Sequence, residues 1–533
     1  MVDLYWLILL PIIVGSFSIM LSQKIARKVM VLLQILMVAL SFLSFYHVRT
    51  SGPVVQNIGG WTDYIGITLR ADILASAMVL LTAGMFLGMV LFNLRKNYAD
   101  NLYLFLFMAL EGLIIGIFLS NDLFNIFVLI EVSTVVISIL IMYKKDSGSI
   151  YDGILYLLIN IVGMSFFLFG LGMLYKKVGV IDLYGIERIV STLENPRIVI
   201  LPYALIITAV SLKSALMPLF SWLPKAHGTP SAPSVISAIL SGLYVKNGVY
   251  LFIRIQSAFA TVVDTTDFFL LMGFITAVVG FVLALAQHDI KLILAYHTVS
   301  QIGLIMMGIN MKGTHTYWGG IYHIMNHAVF KSTLFLTAGM ITDDYKTRNI
   351  YKISGVMKRM PAVGYATLFA VMGITGAPLF NGSISKYLIS YGAKGSWVEY
   401  ALILVNLGTI LSFVKYSQIL FGKSPKPGRS DCDSLRKAVV LTMGAMCFVG
   451  GIFGRWIVMF MFDVTFEVDP LSYWIKILIF ILSFLAGALI YFGVLKKNNF
   501  FTIVNTFELG FNGVCLSIAM FFTVVLGYVA IIM

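Results

Sequence analysis

The chain has 533 residues, of which 59% are hydrophobic and only 11% charged, and its mean hydropathy is +0.95. A soluble globular chain carries roughly 25% charged residues, so a water-soluble enzyme, a disordered chain and a coiled coil are all excluded. The net charge of +13, from 37 basic and 24 acidic residues, fits cytoplasmic loops that collect Lys and Arg better than a nucleic-acid footprint, and no nucleic-acid partner is expected.

Apolar runs of ~20 residues, each able to cross ~30 Å of hydrocarbon, predict sixteen spans. They lie at about 4–22, 28–47, 71–93, 101–120, 122–143, 151–175, 198–220, 231–255, 267–286, 291–311, 316–341, 361–391, 397–421, 438–459, 472–492 and 501–531. The expected fold class is an all-α polytopic membrane protein. The first run has no basic leader and no small-residue cleavage site, so it reads as a spanning helix rather than a cleaved signal. The segments 361–391 and 501–531 exceed one straight crossing, which predicts a broken helix and a tilted or extended one. The interruptions at about 48–70, 176–197, 342–360, 422–437 and 460–471 are too short for a soluble domain. Cys432, Cys447 and Cys515 give neither a disulfide framework nor a metal motif.

Placing the N-terminus outside puts 21 of the 37 basic residues in inner loops, among them Lys24, Arg27, Lys28, Lys225, Lys291, Lys423, Arg436 and Lys497. This bias predicts a multi-pass protein of the cell membrane with both termini outside and an even span count.

Ionisable groups inside apolar spans are the informative residues. A charge at the bilayer centre costs at least ~2.5 kcal/mol on insertion scales and usually faces a bundle interior or a water path. In chain order the first is Glu111, mid-span in NLYLFLFMALEGLIIGIF, facing either the interior or a neighbouring subunit. Glu131 in NDLFNIFVLIEVSTVVISIL is roughly nine residues from the outer edge, hence ~13 Å deep. Lys213 in ALIITAVSLKSALMPLFSWLP lies at a compatible depth. A Glu–Lys pair in low dielectric is strongly coupled, so an arriving proton or cation can open or close it. The alternative is a static pair that fixes packing, although burying a pair rarely repays its desolvation.

Pro218 and Pro224 follow, then Pro230 and Pro233, so MPLFSWLPKAHGTPSAP predicts a discontinuous helix whose freed carbonyls can hold water or ions; a plain helix end is the alternative. Lys246 in SVISAILSGLYVKNGVYLFIR is either a relay or a snorkelling lysine, and Gly242 and Gly248 permit close helix approach. His323, His327 and Lys331 in YWGGIYHIMNHAVFKSTLFLTAG are spaced by four, so they form one stripe of proton-exchanging groups; a metal at the two histidines is the weaker alternative. The stretch LFAVMGITGAPLFNGSISKYLISYG is a second broken segment, interrupted by Gly373, Gly376, Pro378 and Gly382, with Lys386 as the terminal group open to the outside. Lys415, ~9 Å from the inner end of its span, either snorkels or functions.

SALMPLF and TGAPLF share a breaker and a nearby Lys. A duplicated architecture follows, with spans four to eight in one half and nine to thirteen in the other, inverted because each half has five. The expected organisation is a three-helix segment at 1–100, repeats at 101–258 and 259–422, and C-terminal helices at 423–533. No Walker A motif, dinucleotide fingerprint or Fe–S cysteine cluster is present. The chain therefore carries no cofactor or catalytic chemistry of its own, and its energy comes from a partner or an ion gradient.

The stretches NDLFNIFVLIEVSTV, SLKSALMPLFSWLPKAHGTPSAPSVISAILSGLYVKNGVYLFIR, YHIMNHAVFKSTLFLTAG and GAPLFNGSISK together resemble the proton-translocating antiporter-like family over roughly residues 60–425. That family includes the D-type chain of Mrp cation/proton antiporters, the large membrane-arm subunits of respiratory NADH dehydrogenase and related subunits of membrane-bound hydrogenases. The resemblance implies a fourteen-helix core with two inverted five-helix repeats and broken seventh and twelfth helices, here followed by two extra helices. It makes Glu131 and Lys213 the fifth- and seventh-helix pair, Lys246 the eighth-helix relay, His323, His327 and Lys331 the central motif, and Lys386 the twelfth-helix group. Lys at that last position leans toward the Mrp D type or the distal respiratory subunit, and the pattern around Arg70 and Asp72 toward the Mrp D type or the hydrogenase relatives. The resemblance assigns no role to Glu111. The function so implied is movement of H+, Na+ or both by one subunit of a multisubunit complex. Its partners are other membrane subunits and, in a redox-driven complex, proteins with Fe–S or Ni–Fe centres. A non-transporting scaffold and an independent solute transporter are the competing classes.

Overall fold

The computed structural model of the protein describes residues 3–61, 66–228, 232–467, 469–497 and 509–533; Pro230 and the 501–508 part of the last expected span lie outside them. Lipid cannot satisfy backbone polar groups, so the apolar runs fold as helices. The first are α1 (Leu4–Ser18), α2 (Gln23–Ser51), α3 (Ile73–Asn93), α4 (Asn101–Leu119), α5 (Leu123–Ile141), α6 (Ser147–Val178) and the short α7 (Leu183–Val190). Next come α8 (Ile200–Lys213), α9 (Trp222–Gly228), α10 (Ser234–Ile239), α11 (Val245–Phe259), α12 (Thr266–Ala286), α13 (Ile290–Asn310) and α14 (Thr314–Tyr345). The chain ends with α15 (Val356–Arg359), α16 (Pro361–Thr375), α17 (Asn381–Tyr391), α18 (Trp397–Ser417), α19 (Ser434–Ile452), α20 (Gly454–Phe462), α21 (Pro470–Gly493) and α22 (Phe511–Ile532).

Thirteen helices among the described residues are long and apolar enough to cross a membrane. α1 and α16 are shorter apolar helices, and α14 is made more polar by its His and Lys residues. Helix starts are written in the sequence by aspartates. Asp72, Asp100, Asp122, Asp182, Asp289 and Asp469 cap α3, α4, α5, α7, α13 and α21, each carboxylate accepting from an N–H of the first turn.

The segment 361–391 is broken, as expected, into α16 and α17. Three regions show detail beyond the expected spans. The span expected at 438–459 ends at Ile452 and restarts at Gly454, where GGIFGR loosens the helix. In the region 501–531, expected to be tilted or extended, the described part is α22, 22 residues behind Gly510, and the rest of that expectation lies outside the described residues. The interruption at 48–70 contains an antiparallel hairpin pairing β1 (Val54–Asn57) with β2 (Thr68–Ala71), in the register Val54↔Ala71.

The chain forms two compact units. The first holds Met1–Ile236, Leu243–Thr265 and Leu509–Met533, the second Ser237–Gly242 and Thr266–Glu508. Each repeats one pattern. In the first, α5 precedes the 32-residue α6 and the broken pair α8–α9; in the second, α13 precedes the 32-residue α14 and the broken pair α16–α17. Each also carries the same backbone clasp. Leu123 N–H donates to Ile181 O at 3.0 Å and Leu183 N–H to Asn121 O at 2.9 Å. In the second unit Ile290 N–H donates to Arg348 O and Ile350 N–H to His288 O, both at 2.9 Å. Duplication is thus visible in the backbone where the sequence identity is faint.

Candidate functional site

In the first unit the site is built around the break after α8. Lys213, the last residue of α8, is buried. Ala215 takes the left-handed conformation at φ 54°, uncommon for a residue with a Cβ, and the chain turns through Pro218 to α9. Trp222 Nε1 donates to Leu212 O at 2.8 Å, which satisfies one carbonyl that the break frees. Gly248 of α11 lies against the Lys213 backbone, and a Cβ there would collide with it; this is why a glycine stands at that turn.

The direct Glu131–Lys213 ion pair expected from depth is not formed. Lys213 Nζ donates instead to Thr134 Oγ1 at 2.9 Å, one helical turn beyond Glu131 on α5. Glu131 is half-buried, lies within reach of the Lys213 charge, and leaves Oε1 without a hydrogen bond. The Tyr244 hydroxyl lies 3.1 Å from Thr134 Oγ1 and 3.0 Å from Ser133 Oγ. A chain of hydroxyls therefore leads from the Lys213 ammonium to Tyr244, two residues before the fully buried Lys246. Residues Leu240–Tyr244 form a turn of π-helix, a distortion frequent at functional positions. Ser133, Thr134 and Tyr244 do not stand out in the sequence as the charges do, although EVST and LYVK place hydroxyls beside both charges.

Glu111 faces the interior of this unit. It is fully buried, and Gln34 Nε2 of α2 donates to its Oε2. At the end of the unit expected to be outside, Asp72 pairs with Arg254 at 2.6 Å. Burial alone would raise the Asp72 carboxyl, but Arg254, the Ala75 N–H and Arg70 together hold it below the usual carboxylate range.

In the second unit the stripe on α14 meets a matching stripe on α13. Lys331 Nζ donates to Leu294 O at 2.7 Å, and His323 Nε2 lies 3.0 Å from Gln301 Oε1. His327 is fully buried, with its ring centroid 6.5 Å from that of His323. Between Leu294 and Gln301 lies His297, fully buried, neither ring nitrogen hydrogen-bonded, its ring 4.8 Å from Phe413. His297 and Gln301 are a second missed signal, since they repeat the spacing of four in the apolar span 291–311. His323 Nδ1 lies 2.8 Å from Ser385 Oγ, so both of its ring nitrogens have protein partners.

Ser385 adjoins Lys386, which the second break positions. There Gly376 and Leu379 have φ of 78° and 67°, and Lys386 Nζ reaches back to the freed Ile374 O at 2.9 Å and to Asn406 Oδ1 at 2.8 Å. Lys386 faces a cavity of about 180 Å³ between α13, α17, α18 and α21. Lys415 is buried rather than snorkelling, and its ammonium donates to Leu285 O at 2.7 Å and to Gln287 O, closing the end of α12.

The chain and its fold have known counterparts. A family model described as the transmembrane region of NADH:quinone oxidoreductase and Mrp antiporter subunits matches residues 120–412, more than half of the chain. The protein belongs to this family. A curated relative, the D-type chain of the Na(+)/H(+) antiporter of Alkalihalophilus pseudofirmus, is 28% identical over 422 residues, covering 76% of this chain and 84% of the relative. A chain in the structure of the Mrp complex from Dietzia sp. superposes with a TM-score of 0.79 at 20% identity, over 94% of this chain and 99% of its own length. A chain of the membrane-bound sulfane sulfur reductase, an archaeal respiratory membrane complex, superposes with a TM-score of 0.80 at 24% identity, over 91% and 99%. The protein is an antiporter-like, multi-pass membrane protein with the fold of these subunits.

Proposed function

We propose that this protein is the ion-moving subunit of a multisubunit Na+/H+ antiporter in the cell membrane, with both termini outside. The observation that carries the reading is the buried Lys213 ammonium, held by Thr134 and linked to Tyr244 beside a carboxylate with an unused oxygen. A group so placed is costly as packing alone. As a switch it has a role, because protonation of Glu131 removes the charge that steadies Lys213 and frees a proton to move along the hydroxyls. The alignment with a D-type antiporter chain over most of both sequences supports the antiporter reading.

The path is carried in segments: Glu131, Lys213 and Lys246 in the first unit, then His297, His323, His327, Lys331 and Lys386 in the second. Glu111 and Lys415 stand beside it. The chain carries no cofactor in this reading, so its drive is an ion gradient supplied through companion membrane subunits. Purification in mild detergent with mass-spectrometric identification of companions tests this. Small membrane subunits together with Na+/H+ exchange in vesicles are expected. Companions bearing Fe–S or Ni–Fe centres would assign the chain to a redox-driven pump instead, and a chain that transports alone would overturn the subunit reading.

A further inference from the structure

Helix α21 packs directly on the second unit's broken helix. Its Tyr473 hydroxyl accepts from Leu379 N–H at 3.4 Å, in the break between α16 and α17. One turn on, Lys476 Nζ donates to Tyr387 O at 3.2 Å and to Ser390 Oγ, and lies 4.2 Å from the centre of the Tyr387 ring. Tyr387 adjoins Lys386, and Ser390 is four residues beyond it on the same face. Lys386, carried by this half-helix, and Lys476, bonded to it from α21, line one cavity of about 180 Å³, room for several waters. The other charged groups of its wall are Lys394 and Glu399, with Tyr387, Tyr473 and Asn406 as polar neighbours; Tyr391 and Asp469 lie near Tyr387. The charge bias of the loops puts 392–396 and 460–471 on the outer side.

We propose that this cavity is the proton exit of the second unit and that Lys476 is a path residue in it, receiving through water the proton that Lys386 releases. Three lysines face a single carboxylate. A lysine ammonium has three donors and no acceptor, Asn406 Oδ1 is taken by Lys386, and Glu399 accepts from Gly395 N–H. The wall repels a bare metal cation but passes a proton. The Lys476 ammonium first releases its proton at the mouth beside Lys394 and Glu399; the Lys386 ammonium then gives its proton to water, and water gives one to the Lys476 amine so formed. The inference rests on reading Lys386 as an ion-path group.

The test uses the assembled complex in vesicles, with Lys476→Ala, Lys476→Arg and Lys476→His beside Lys386→Ala, each checked for copurifying subunits. Lys476→Ala is expected to slow proton-coupled transport about tenfold or more. Lys476→Arg keeps the charge but holds its proton at every working pH, so it is expected to fail equally. Lys476→His is expected to recover transport with an optimum moved to lower pH. Full transport in Lys476→Ala, or rescue by Lys476→Arg, would overturn the inference and leave Lys476 a structural clamp. Full transport in Lys386→Ala would overturn the underlying reading as well, which separates the two failures.

Discussion

The two broken helices use one device for two different tasks. Both place a residue with a Cβ in the left-handed region, Ala215 in one and Leu379 in the other, and both set a lysine against the break. At the first, the lysine ends the upstream half-helix, bonds to a neighbouring threonine and has a carboxylate nearby. At the second, the lysine rides on the downstream half-helix, reaches back to a freed carbonyl and faces an open volume. The difference teaches that a helix break fixes a lysine in the membrane, and its neighbours decide what the lysine does. In the proposed reading the lysine beside a carboxylate is the switch and the lysine facing the cavity is the exit.

That contrast can be broken by exchange of residues. The largest effect is expected for Lys213→Ala and Lys386→Ala, each abolishing coupled transport in vesicles while the complex still copurifies. If one alone keeps full transport, the two breaks do not serve one path. Thr134→Val keeps the shape but removes the hydroxyl that holds Lys213. A hydrogen bond to a charged group is worth about 1.5–3 kcal/mol, so transport is expected to slow by about ten- to a hundredfold, with no equivalent loss for Thr375→Val, whose hydroxyl bonds to carbonyls of its own helix. Equal losses in the two variants would remove the distinction.

The smallest effect concerns the Asp72–Arg254 tie. The Asp72 carboxyl is held below its ordinary value, which is about 3.9, so the tie contributes fully above that value. It is lost as pH falls through the lowered folded value. Thermal stability of the purified complex is expected to drop at acid pH, and Asp72→Asn is expected to flatten that drop. An unchanged acid limb in the variant would show that the tie contributes nothing measurable.

Much of this was legible in the sequence. Spans are long apolar runs, and the stripe of His323, His327 and Lys331 follows from helical spacing alone. The breaks at Pro218 and Pro378 were legible because proline removes a donor. Thr134, Tyr244 and Lys476 were not, for a common reason. Each gains its place from a neighbour on another helix, and nothing in its own stretch names that neighbour. The Glu131–Lys213 depth match was right in level but wrong in contact, since depth fixes height in the membrane and leaves rotation about the helix axis open. The break at Phe453 carries no proline, and its glycines resemble the many that merely allow close packing.

The most direct test of the switch is Glu131→Gln in the assembled complex, because the amide keeps the side chain's shape and removes only its charge and exchangeable proton. Coupled Na+/H+ exchange in vesicles is predicted to fall at least about tenfold with all companion subunits retained. Exchange at the wild-type rate would contradict the account, and Glu131 would then be a packing residue beside a lysine that never switches.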